Sequence, residues 1–542
     1  MIRNFLLLAI SVLVISCNTQ MQADLIVHNA EVYTLDDKFS VASAFAIKDG
    51  KILGTGSSEE ILKKYKGEML DAQGKAVYPG FIDGHAHFYG YGQGLQQADL
   101  VGTKSWEEIL EKLKQFGQEN PEGWIIGRGW DQNDWTKREF PDNSKLNELF
   151  PNRPVILTRI DGHAAIANNT ALELSGLIPG QKITGGEVET INGKLSGILI
   201  DNAQAAVYSK IPDQTVAQIQ ESLMDAQKNC FAVGLTTVTD CGISHKLIPL
   251  ITELQQKDQL KMRIYAMLRD DQENYDFLFK NGALKTDRLN VRSFKIYMDG
   301  ALGSRGACLL EPYSDKPGYS GFLLSDKKHF AEVAQKIAKA GFQMNTHAIG
   351  DSANREILNV YASVLKGKND LRWRIEHAQV VNQGDFKLFG ENNIIPSVQS
   401  THATSDMYWA GDRLGAERVK GAYAFKQLLD QNGWLVLGTD FPVENINPMY
   451  TFYAAVVRKD MKGFPADGYQ MENAMSREQA LRGMTIWAAK GNFEEKEKGS
   501  LEAGKFADFV ILDHDIMKAD AEQLFKVQVL KTYLNGENVY NK

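Results

Sequence analysis

The sequence contains few cysteines, no long basic run, no low-complexity segment and no internal repeat. Its net charge is -8, so the charge pattern gives no reason to expect nucleic acid as a partner. Three cysteines follow the amino-terminal region, namely Cys230, Cys241 and Cys308. Their number is odd, and the spacing of Cys230 and Cys241 does not by itself bring two Cα atoms within disulfide range. We therefore expect buried free thiols.

The rest of the composition is that of an ordinary large globular protein. Hydrophobic residues make up 43% of the chain and charged residues 24%, which argues against disorder and against a fibrous protein. A chain of 542 residues can bury a large core, and its length predicts two or three domains.

Residues 1–17 have the pattern of a targeting segment. Arg3 supplies a positive charge, residues 5–15 are apolar apart from Ser11, and Ser16 and Cys17 close the segment. The apolar run is too short for a stable transmembrane helix. The segment resembles a bacterial lipoprotein signal, which implies cleavage before Cys17, lipid on that residue, a tether over residues 18–23 and an envelope location at the periplasmic face or the cell surface. The alternative is an ordinary secretory signal in which Cys17 is incidental.

The two ends of the mature chain share a β-rich pattern. Residues 24–56 contain short β-prone runs with Asp49-Gly50 as a hairpin turn signal, and residues 508–540 contain two more around Asn535-Gly536. Each set of strands is incomplete. We therefore predict that residues 24–75 and 491–542 together form one small β-sandwich domain.

Between these ends, β-prone runs alternate with helical patterns, which predicts an α/β fold with a parallel sheet. Residues 76–490 supply eight such runs, the number that a (β/α)8 TIM barrel requires. The predicted barrel strands are residues 76–83, 234–240, 263–268, 292–298, 342–346, 372–376, 394–398 and 434–439. The interval of about 88–220 fits no barrel repeat, so we predict an inserted subdomain over the barrel mouth.

Polar residues at the ends of five of these runs have the composition of a metal site. They are His85, His87, Lys295, His347, His377 and Asp440. In a barrel the carboxyl ends of all strands meet at one face, where the chemistry gathers. Imidazole and carboxylate groups bind divalent cations there and can activate a water. The sequence therefore predicts a metal-dependent hydrolase.

The spacing of these residues divides them between two ions. His85 and His87 are two apart in an extended segment, so both side chains leave the same face. Asp440, on the eighth strand beside the first, can reach the same ion. His347 and His377 would hold a second ion, about 3.5 to 4 Å from the first in two-metal sites.

Lys295 is the unusual member of this set. An ammonium group beside two divalent ions is repelled, so the neutral amine is favoured there and can add carbon dioxide to form a bridging carbamate. The alternative is that Lys295 pairs with Asp299 and that one metal binds. Glu376, which precedes His377, is expected to point away from the metals because side chains alternate along a strand.

Longer motifs carry a family resemblance. Residues 79–87 (PGFIDGHAH), 294–305, 345–351 (NTHAIGD), 374–379 (RIEHAQ) and 438–442 (GTDFP) resemble amidohydrolase family 3, the YtcJ-like branch of the amidohydrolase superfamily. The resemblance covers essentially all of residues 24–542. It implies a distorted (β/α)8 barrel with a composite β-sandwich, hydrolysis of C–N bonds in amides or cyclic amides, and often two zinc ions bridged by a carbamylated lysine. None of the six ligand types is substituted here.

In the implied mechanism a metal-activated water attacks the substrate carbonyl, and Asp440 takes its proton and delivers it to the departing nitrogen. His163, in the insertion, resembles a motif that family members carry near the site and is a candidate donor to the carbonyl, with a structural turn as the alternative. Weaker candidates for substrate contact are Trp130, Tyr297, Arg305 and His402. Aromatic residues such as Trp130 and Trp135 are more often packing than site walls.

Three functions remain open at this point. The favoured one is an envelope amidohydrolase that cleaves a small amide, cyclic amide or N-acyl compound. A mononuclear hydrolase of the deaminase type is the second, and a non-catalytic lipoprotein that binds a ligand is the third. The expected partners are a small-molecule substrate and a membrane contacted through the lipid anchor only. The oligomeric state stays open, with a homodimer as one candidate.

Overall fold

A computed structural model describes residues 20–542. The predicted signal segment and its lipidation site Cys17 lie outside these residues. Within residues 20–542, no helix is both long enough and apolar enough to cross a membrane. Cys230, Cys241 and Cys308 are free thiols in this part of the chain, as expected, although Cys308 is only half-buried.

A nearly closed parallel sheet of eight strands forms the centre of the molecule. Its strands, from first to eighth, are Phe81–Ala86, Leu235–Ile243, Arg263–Arg269, Leu289–Tyr297, Gln343–Ala348, Arg374–His377, Ile395–Val398 and Val436–Leu437, and the short strand Leu284–Lys285 pairs with the fourth. Past the end of the eighth strand, the Asp440 N–H donates to the carbonyl of His85 at 2.8 Å and the His87 N–H donates to that of Phe441 at 2.9 Å. These bonds join the last strand to the first at the carboxyl edge, and the predicted α/β barrel is confirmed.

One predicted strand boundary is wrong. The run 76–83 is two strands, because Ala76–Pro79 belongs to a different sheet and only Phe81–Ala86 enters the barrel. The chain changes sheets at Gly80, where a Cβ atom would lie 2.3 Å from the Thr236 hydroxyl. Only glycine leaves room for this close approach.

The α-helices lie mostly between barrel strands. They are Ser58–Lys64, Phe88–Gly94, Trp106–Glu119, Ser144–Leu149, Asn169–Ser175, Ala205–Tyr208, Val216–Ala232, Ile248–Gln256, Gln272–Asn281, Lys327–Ala340, Asp351–Leu365, Lys387–Glu391, Ser400–Asp406, Ala410–Arg418, Phe425–Asn432, Pro448–Val457, Arg477–Gly483 and Ile486–Gly491. Lys327–Ala340 shows why such segments are helical: Asp326 caps its first turn, Gly341 ends it at φ +75°, and Phe330 and Ile337 are buried on one face.

Two further sheets form the predicted composite sandwich. The four-stranded sheet contains Met21–His28, Ala44–Lys48, Lys51–Gly56 and Tyr65–Asp71, and the six-stranded sheet contains Glu31–Tyr33, Val41–Ala42, Ala76–Pro79, Phe509–Leu512, Val529–Leu534 and Glu537–Asn541. Phe45 and Phe509, one from each sheet, meet edge to face in the shared core at 5.1 Å. The amino-terminal part therefore extends to Pro79 rather than to residue 75. The tether is also shorter than predicted, because Met21 begins a strand and pairs with Tyr65.

The sandwich is attached to the barrel by a buried ion pair. Arg263 begins the third barrel strand and donates from Nε to Asp508 Oδ2 at 2.6 Å and from Nη2 to Oδ1 at 3.0 Å. Both side chains are almost completely buried. Arg263 lies at the amino end of its strand, so the sandwich contacts the barrel away from the carboxyl ends that carry the predicted metal ligands.

The insertion forms a six-stranded sheet between residues 98 and 201. Its strands are Ala98–Asp99, Ile125–Trp130, Val155–Arg159, Ala164–Ala167, Gly186–Ile191 and Lys194–Asp201. This interval is narrower than the predicted 88–220, because Val216–Ala232 is the barrel helix that leads into the second strand, and Phe88–Gly94 packs against it.

Trp130 lies in the core of the insertion. Its side chain is fully buried beside Trp135 and Phe140, and its indole N–H donates to the Leu157 carbonyl at 2.9 Å. The expectation that Trp130 contacts substrate is therefore wrong for this structure. The reason is that a large aromatic ring on a strand gains more from burial between sheet and helix than from exposure in a cleft.

Candidate metal centre

The barrel strands bring all six predicted ligands to one edge of the sheet. His85 lies in the first strand and His87 just after it, Lys295 in the fourth, His347 in the fifth and His377 at the end of the sixth, and Asp440 follows the eighth. All are buried except His87, whose side chain is 29% exposed. A cation bound there would be reached from the cleft on the side of His87.

Asp440 is at the centre of the group. Its Oδ1 lies 3.4 Å from His85 Nε2 and 3.2 Å from His87 Nε2, and its Oδ2 lies 4.0 Å from His377 Nδ1. His85, His377 and Asp440 offer ligand atoms that all lie within 4.8 Å of one another. Asp440 therefore lies within reach of His85 and His87, as predicted, and also of His377.

His347 lies on the far side of His377, with ring centroids 4.6 Å apart. Its Nδ1 is buried without a hydrogen-bond partner, and so is Oδ1 of Asp440. Buried polar atoms without partners are uncommon in folded proteins. Nitrogen donors from imidazoles together with a carboxylate oxygen are the ligand set of catalytic zinc and similar ions, so the residues present fit divalent metal.

The ligand residues adopt backbone conformations that are costly for non-glycine residues. His377 has φ +71° and Asp440 has φ +64°. Positive φ values cost free energy, and they persist where the surrounding structure holds them in place. At His377 this conformation interrupts the alternation of the strand, so that Glu376 and His377 both face the interior of the barrel.

Glu376 consequently contacts a predicted metal ligand, which the alternation of side chains along the strand did not predict. Its Oε2 lies 2.5 Å from His85 Nδ1, and Arg374 Nε donates to Oε1 at 2.7 Å. Arg374 and Glu376 are both fully buried. A carboxylate that accepts from the other nitrogen of a ligating histidine fixes its tautomer and orientation, leaving Nε2 free for the metal. The proximity of Arg374 and Glu376 to His377 in the sequence could have indicated this role. The expected alternation of side chains along the strand instead predicted that Glu376 points away from the metals.

Other side chains fix the remaining ligands. His377 Nδ1 lies 2.7 Å from Gln399 Oε1, which orients the imidazole and leaves Nε2 as the nitrogen available to a cation. Asp83 accepts from the Thr439 hydroxyl at 2.7 Å and from the His85 N–H at 3.1 Å, so it ties the first strand to the segment that carries Asp440. Burial raises the pKa of Asp83 to about 7, although the bonds from Thr439 and His85 oppose this.

The charge state of the histidines suits metal binding. Burial, followed by the charge of Lys295, lowers the pKa of His85 to about 4 despite the opposing charge of Glu376. Burial likewise holds the pKa values of His347 and His377 well below the ordinary value. Burial alone would raise the pKa of Asp440, but the adjacent histidines keep it well below its usual range. Neutral imidazoles and an ionised carboxylate are the forms that bind a cation.

Lys295 is fully buried, with Nζ 3.1 Å from His85 Nε2 and 4.9 Å from the centre of the Tyr297 ring. The alternative pairing with Asp299 is absent, because Asp299 accepts instead from the backbone N–H groups of Cys308, Ile349 and Gly350. Burial lowers the pKa of Lys295, but Tyr297 and Cys241, followed by Glu376 and Asp440, outweigh it and raise the pKa overall.

The insertion contributes His163 to the site. The His163 ring lies 4.9 Å from that of His347 and 6.4 Å from that of Tyr297, and its Nδ1 lies 2.6 Å from Asp201 Oδ1. Asp201 has φ +48°, and Oδ2 of this carboxylate would lie 2.3 Å from a Cβ at Gly300. The backbone at Gly300 therefore packs tightly against the Asp201 carboxylate. His163 keeps its Nε2 free, and the sequence contained no local signal for its partner Asp201.

The remaining candidates divide between the site and its surroundings. Tyr297 lies beside His347 with ring centroids 5.4 Å apart, and His402 Nε2 is buried without a partner 3.7 Å from Asp440 Oδ2. Both therefore belong to the site. Arg305 instead forms an ion pair with Asp315 at 2.8 Å, which also binds Arg413. Its charge is already compensated, so the structure gives Arg305 no contact with the ligand group.

Comparisons with known proteins agree with this geometry. A family profile described as the amidohydrolase family matches residues 68–540. The chain is 35% identical to Protein LONG AFTER FAR-RED 3 of Arabidopsis thaliana (96% of this chain, 92% of that protein) and 31% identical to the putative amidohydrolase YtcJ of Bacillus subtilis (95% and 99%). It is 26% identical to the N-substituted formamide deformylase of Arthrobacter pascens (97% and 99%).

A solved structure resembles the whole fold as well. An uncharacterised metal-dependent hydrolase from Pyrococcus horikoshii superposes with a TM-score of 0.75 and 29% sequence identity, covering 92% of this chain and 99% of that one. The profile match extends over most of the chain, from the sandwich through the barrel. This protein therefore belongs to the amidohydrolase family.

Proposed function

We propose that this chain is a metal-dependent hydrolase that cleaves a C–N bond in a small amide, cyclic amide or N-acyl compound. The observation that carries the proposal is the convergence of His85, His87, His377 and Asp440 on one point, with orphaned ligand atoms and with His347 and Lys295 adjacent. The deformylase among the relatives, whose name denotes action on N-substituted formamides, supports the choice of a C–N bond.

Divalent ions held by these residues, zinc being the proposed metal, would supply Lewis acidity and a water of lowered pKa. His85, His87 and Asp440 would hold one ion and His347 and His377 the other, with Lys295 as a carbamate between them. The protein groups alone raise the pKa of Lys295, whereas two cations at the same place would oppose that shift.

The chain's own residues then account for proton movement and orientation. Asp440 is ionised and lies among the imidazoles of His85 and His87, so it is placed to accept the proton of the attacking water and return it to the leaving nitrogen. His163 is held at Nδ1 by Asp201 and its ring lies beside that of His347, so its Nε2 can donate to the substrate carbonyl oxygen. Tyr297 flanks the same position.

A second candidate is a mononuclear hydrolase of the deaminase type. A specific observation favours it: the tight cluster of His85, His377 and Asp440 contains members of both predicted ligand sets, and Lys295 contacts His85 directly. One ion bound by this cluster would leave Lys295 as a charged neighbour rather than a bridge.

Metal content per chain distinguishes these functions. The protein, prepared with zinc and bicarbonate and without chelator, is expected to retain about two ions, and Lys295→Ala should lower that number by removing the bridge. Lys498→Ala is the matched control, because Lys498 is also a buried lysine, bound to Glu494 and absent from the ligand group. Hydrolysis of N-substituted formamides and related amides is measured on the same samples.

Each result leads to a different conclusion. Two ions, lost in Lys295→Ala and retained in Lys498→Ala, together with amide hydrolysis, support the bridged site. One ion that is insensitive to Lys295 favours the mononuclear candidate and directs the substrate screen to deamination. Absence of bound metal in all three proteins would contradict both and leave a ligand-binding protein. The lipid anchor and envelope location remain proposals that rest on residues 1–17.

A further inference from the structure

Arg128 is a charged side chain of the insertion without a charged partner. It lies on the strand Ile125–Trp130, next to Thr158 of the adjacent strand, and is half-buried. Within residues 20–542 the Arg128 side chain makes one hydrogen bond, from Nη2 to the Ile160 carbonyl at 3.0 Å. Its Nε is buried without a partner, and no carboxylate lies within ion-pair distance of the guanidinium among these residues.

Arg159, on the neighbouring strand, shows how the fold treats a structural arginine at this place. Arg159 is buried and forms ion pairs with both Asp131 and Asp161, and its Nε donates to Gln132 at 2.8 Å. A buried guanidinium normally has such partners, because burying an uncompensated charge is costly. Arg128 departs from this pattern, so its charge requires another explanation.

The position of Arg128 links it to the metal centre. The guanidinium packs on Gly162, where a Cβ atom would lie 3.4 Å from Nη2 and 3.5 Å from Nη1. The next residue is His163, whose ring lies beside His347. Burial lowers the pKa of Arg128, while nearby Tyr208, Asp161, Asp440 and Tyr297 oppose this, so these groups lie within electrostatic range. Arg128 therefore packs on the residue that precedes His163, the proposed carbonyl donor.

The charge of Asp440 does not satisfy Arg128. Asp440 is surrounded by imidazoles, and a cation bound to them would take up its charge. Asp161 is already paired with Arg159. What remains is an arginine with free N–H donors that packs on Gly162, in the turn that carries His163. A planar guanidinium with two free donors matches a carboxylate in shape and charge.

We propose that Arg128 binds a carboxylate of the substrate, located at the end remote from the scissile C–N bond. This inference rests on the proposed hydrolase function and narrows it to amides that carry an acidic group. Such a substrate would place its carbonyl between His163 and the metal ligands and its carboxylate against Arg128. Neutral amides would leave the guanidinium uncompensated and would bind more weakly.

A series of matched amides tests this proposal. The probes are N-formyl ω-amino acids with one to five methylenes between amide and carboxylate, each paired with the corresponding carboxamide. The wild-type protein is expected to prefer the acid over the carboxamide at one chain length, by about 10- to 100-fold in kcat/KM, which corresponds to a hydrogen-bonded charge pair. Arg128→Gln should remove that preference through KM, with little effect on the neutral member.

Two further variants separate recognition from support of the loop. Arg128→Lys keeps the charge but loses the planar pair of donors, so an intermediate preference is expected. Arg128→Lys also tests the proposal if Arg128→Gln does not fold. Arg138→Gln removes a charge from the same inserted region, where the side chain is half exposed, and should leave the acid preference unchanged. Equal losses for acid and carboxamide in Arg128→Gln would show that Arg128 only supports the Ile160 carbonyl, and would overturn the proposal.

Direct binding distinguishes failure of this inference from failure of the hydrolase function. Calorimetry with the same acids is performed on metal-loaded protein. If no amide is hydrolysed but the acids bind and Arg128→Gln abolishes that binding, the hydrolase proposal fails and the carboxylate site stands. If amides are hydrolysed without preference for the acid, the carboxylate site fails alone. Absence of binding by every acid at millimolar concentration overturns the carboxylate site.

Discussion

Side chains that contact the predicted metal ligands determine how those ligands are oriented. Glu376 is the strongest case, because it is fully buried, bonded to His85 Nδ1 and neutralised by Arg374. Its contact with His85 Nδ1 positions the His85 ring. Partners of this kind typically alter metal affinity by about 10- to 100-fold when they are changed.

Glu376→Gln is therefore expected to weaken zinc binding by about 10- to 100-fold while the fold is retained. The amide keeps the size of the side chain but loses the charge that orients the His85 imidazole. The measurement is a competitive zinc titration against a chelator of known affinity.

Glu494→Gln is the matched control for that experiment. Glu494 is also buried and pairs with Lys498 and Lys285, away from the ligand group. Both variants lose a buried charge pair, but only Glu376→Gln should alter zinc affinity. Equal zinc affinity in wild type and Glu376→Gln would show that the short contact with His85 does not position the ligand.

Residue chemistry was also the part of the site most readily predicted from the sequence. The six predicted ligands were selected because each follows a β-prone run, and the structure brings these six residues to one edge of the sheet. Glu376 was misjudged because the positive φ of His377 cannot be read from an apolar pattern. Asp201 and the isolation of Arg128 depend on how the insertion folds over the barrel, which no local pattern specifies.

At the scale of elements, the sequence predicted the positions of the barrel strands better than it predicted their boundaries. Seven of the predicted strands lie within a few residues of those observed, because buried parallel strands are continuous apolar runs. The prediction of the first strand was wrong at Gly80, because one β-prone run contributes to two sheets. The residues on either side of Gly80 are equally β-prone, so the sequence does not show the break. The insertion was located by its misfit to the barrel repeat, and its own sheet explains that misfit.

The insertion is an element with a core of its own, and Trp130 is the most deeply buried of the three tryptophans in that core. Trp130→Ala is expected to lower the free energy of unfolding by about 3 to 5 kcal/mol, since it removes a fully buried indole and leaves a cavity. Urea denaturation followed by circular dichroism measures this loss.

Trp124→Ala provides the comparison for that change. Trp124 belongs to the same insertion but is only half-buried, so a smaller loss is expected. If Trp130→Ala kept full stability and lost substrate binding instead, Trp130 would have to be returned to the list of substrate contacts.

The whole molecule depends on contacts between distant parts of the chain. Tyr33 donates to Asp515 at 2.8 Å across 482 positions of sequence, and Tyr78 donates to the same carboxylate at 2.6 Å. Arg263 and Asp508 join barrel and sandwich in the same way, by a bidentate pair in a buried setting. The two ends of the chain are therefore one structural unit with the barrel.

Asp508→Asn is expected to destabilise the protein by about 3 to 5 kcal/mol, because it leaves the buried Arg263 charge without its partner. Thermal or urea unfolding measures the effect. Asp24→Asn is the control, since it removes an exposed pair with Lys48 and should cost less than about 1 kcal/mol. Equal losses in the two variants would mean that the Arg263 pair adds nothing beyond an ordinary surface ion pair.

The composite sandwich also constrains how the chain is made. A ribosome synthesises the first strands of the sandwich long before Phe509–Leu512, the strand that lies beside Ala76–Pro79 in the finished sheet. Until then, that edge of Ala76–Pro79 has no neighbour, and an unpaired strand edge is a template for wrong association. Contacts of such large sequence separation also form slowly. The nascent amino-terminal strands therefore keep this edge exposed until Phe509–Leu512 has been synthesised.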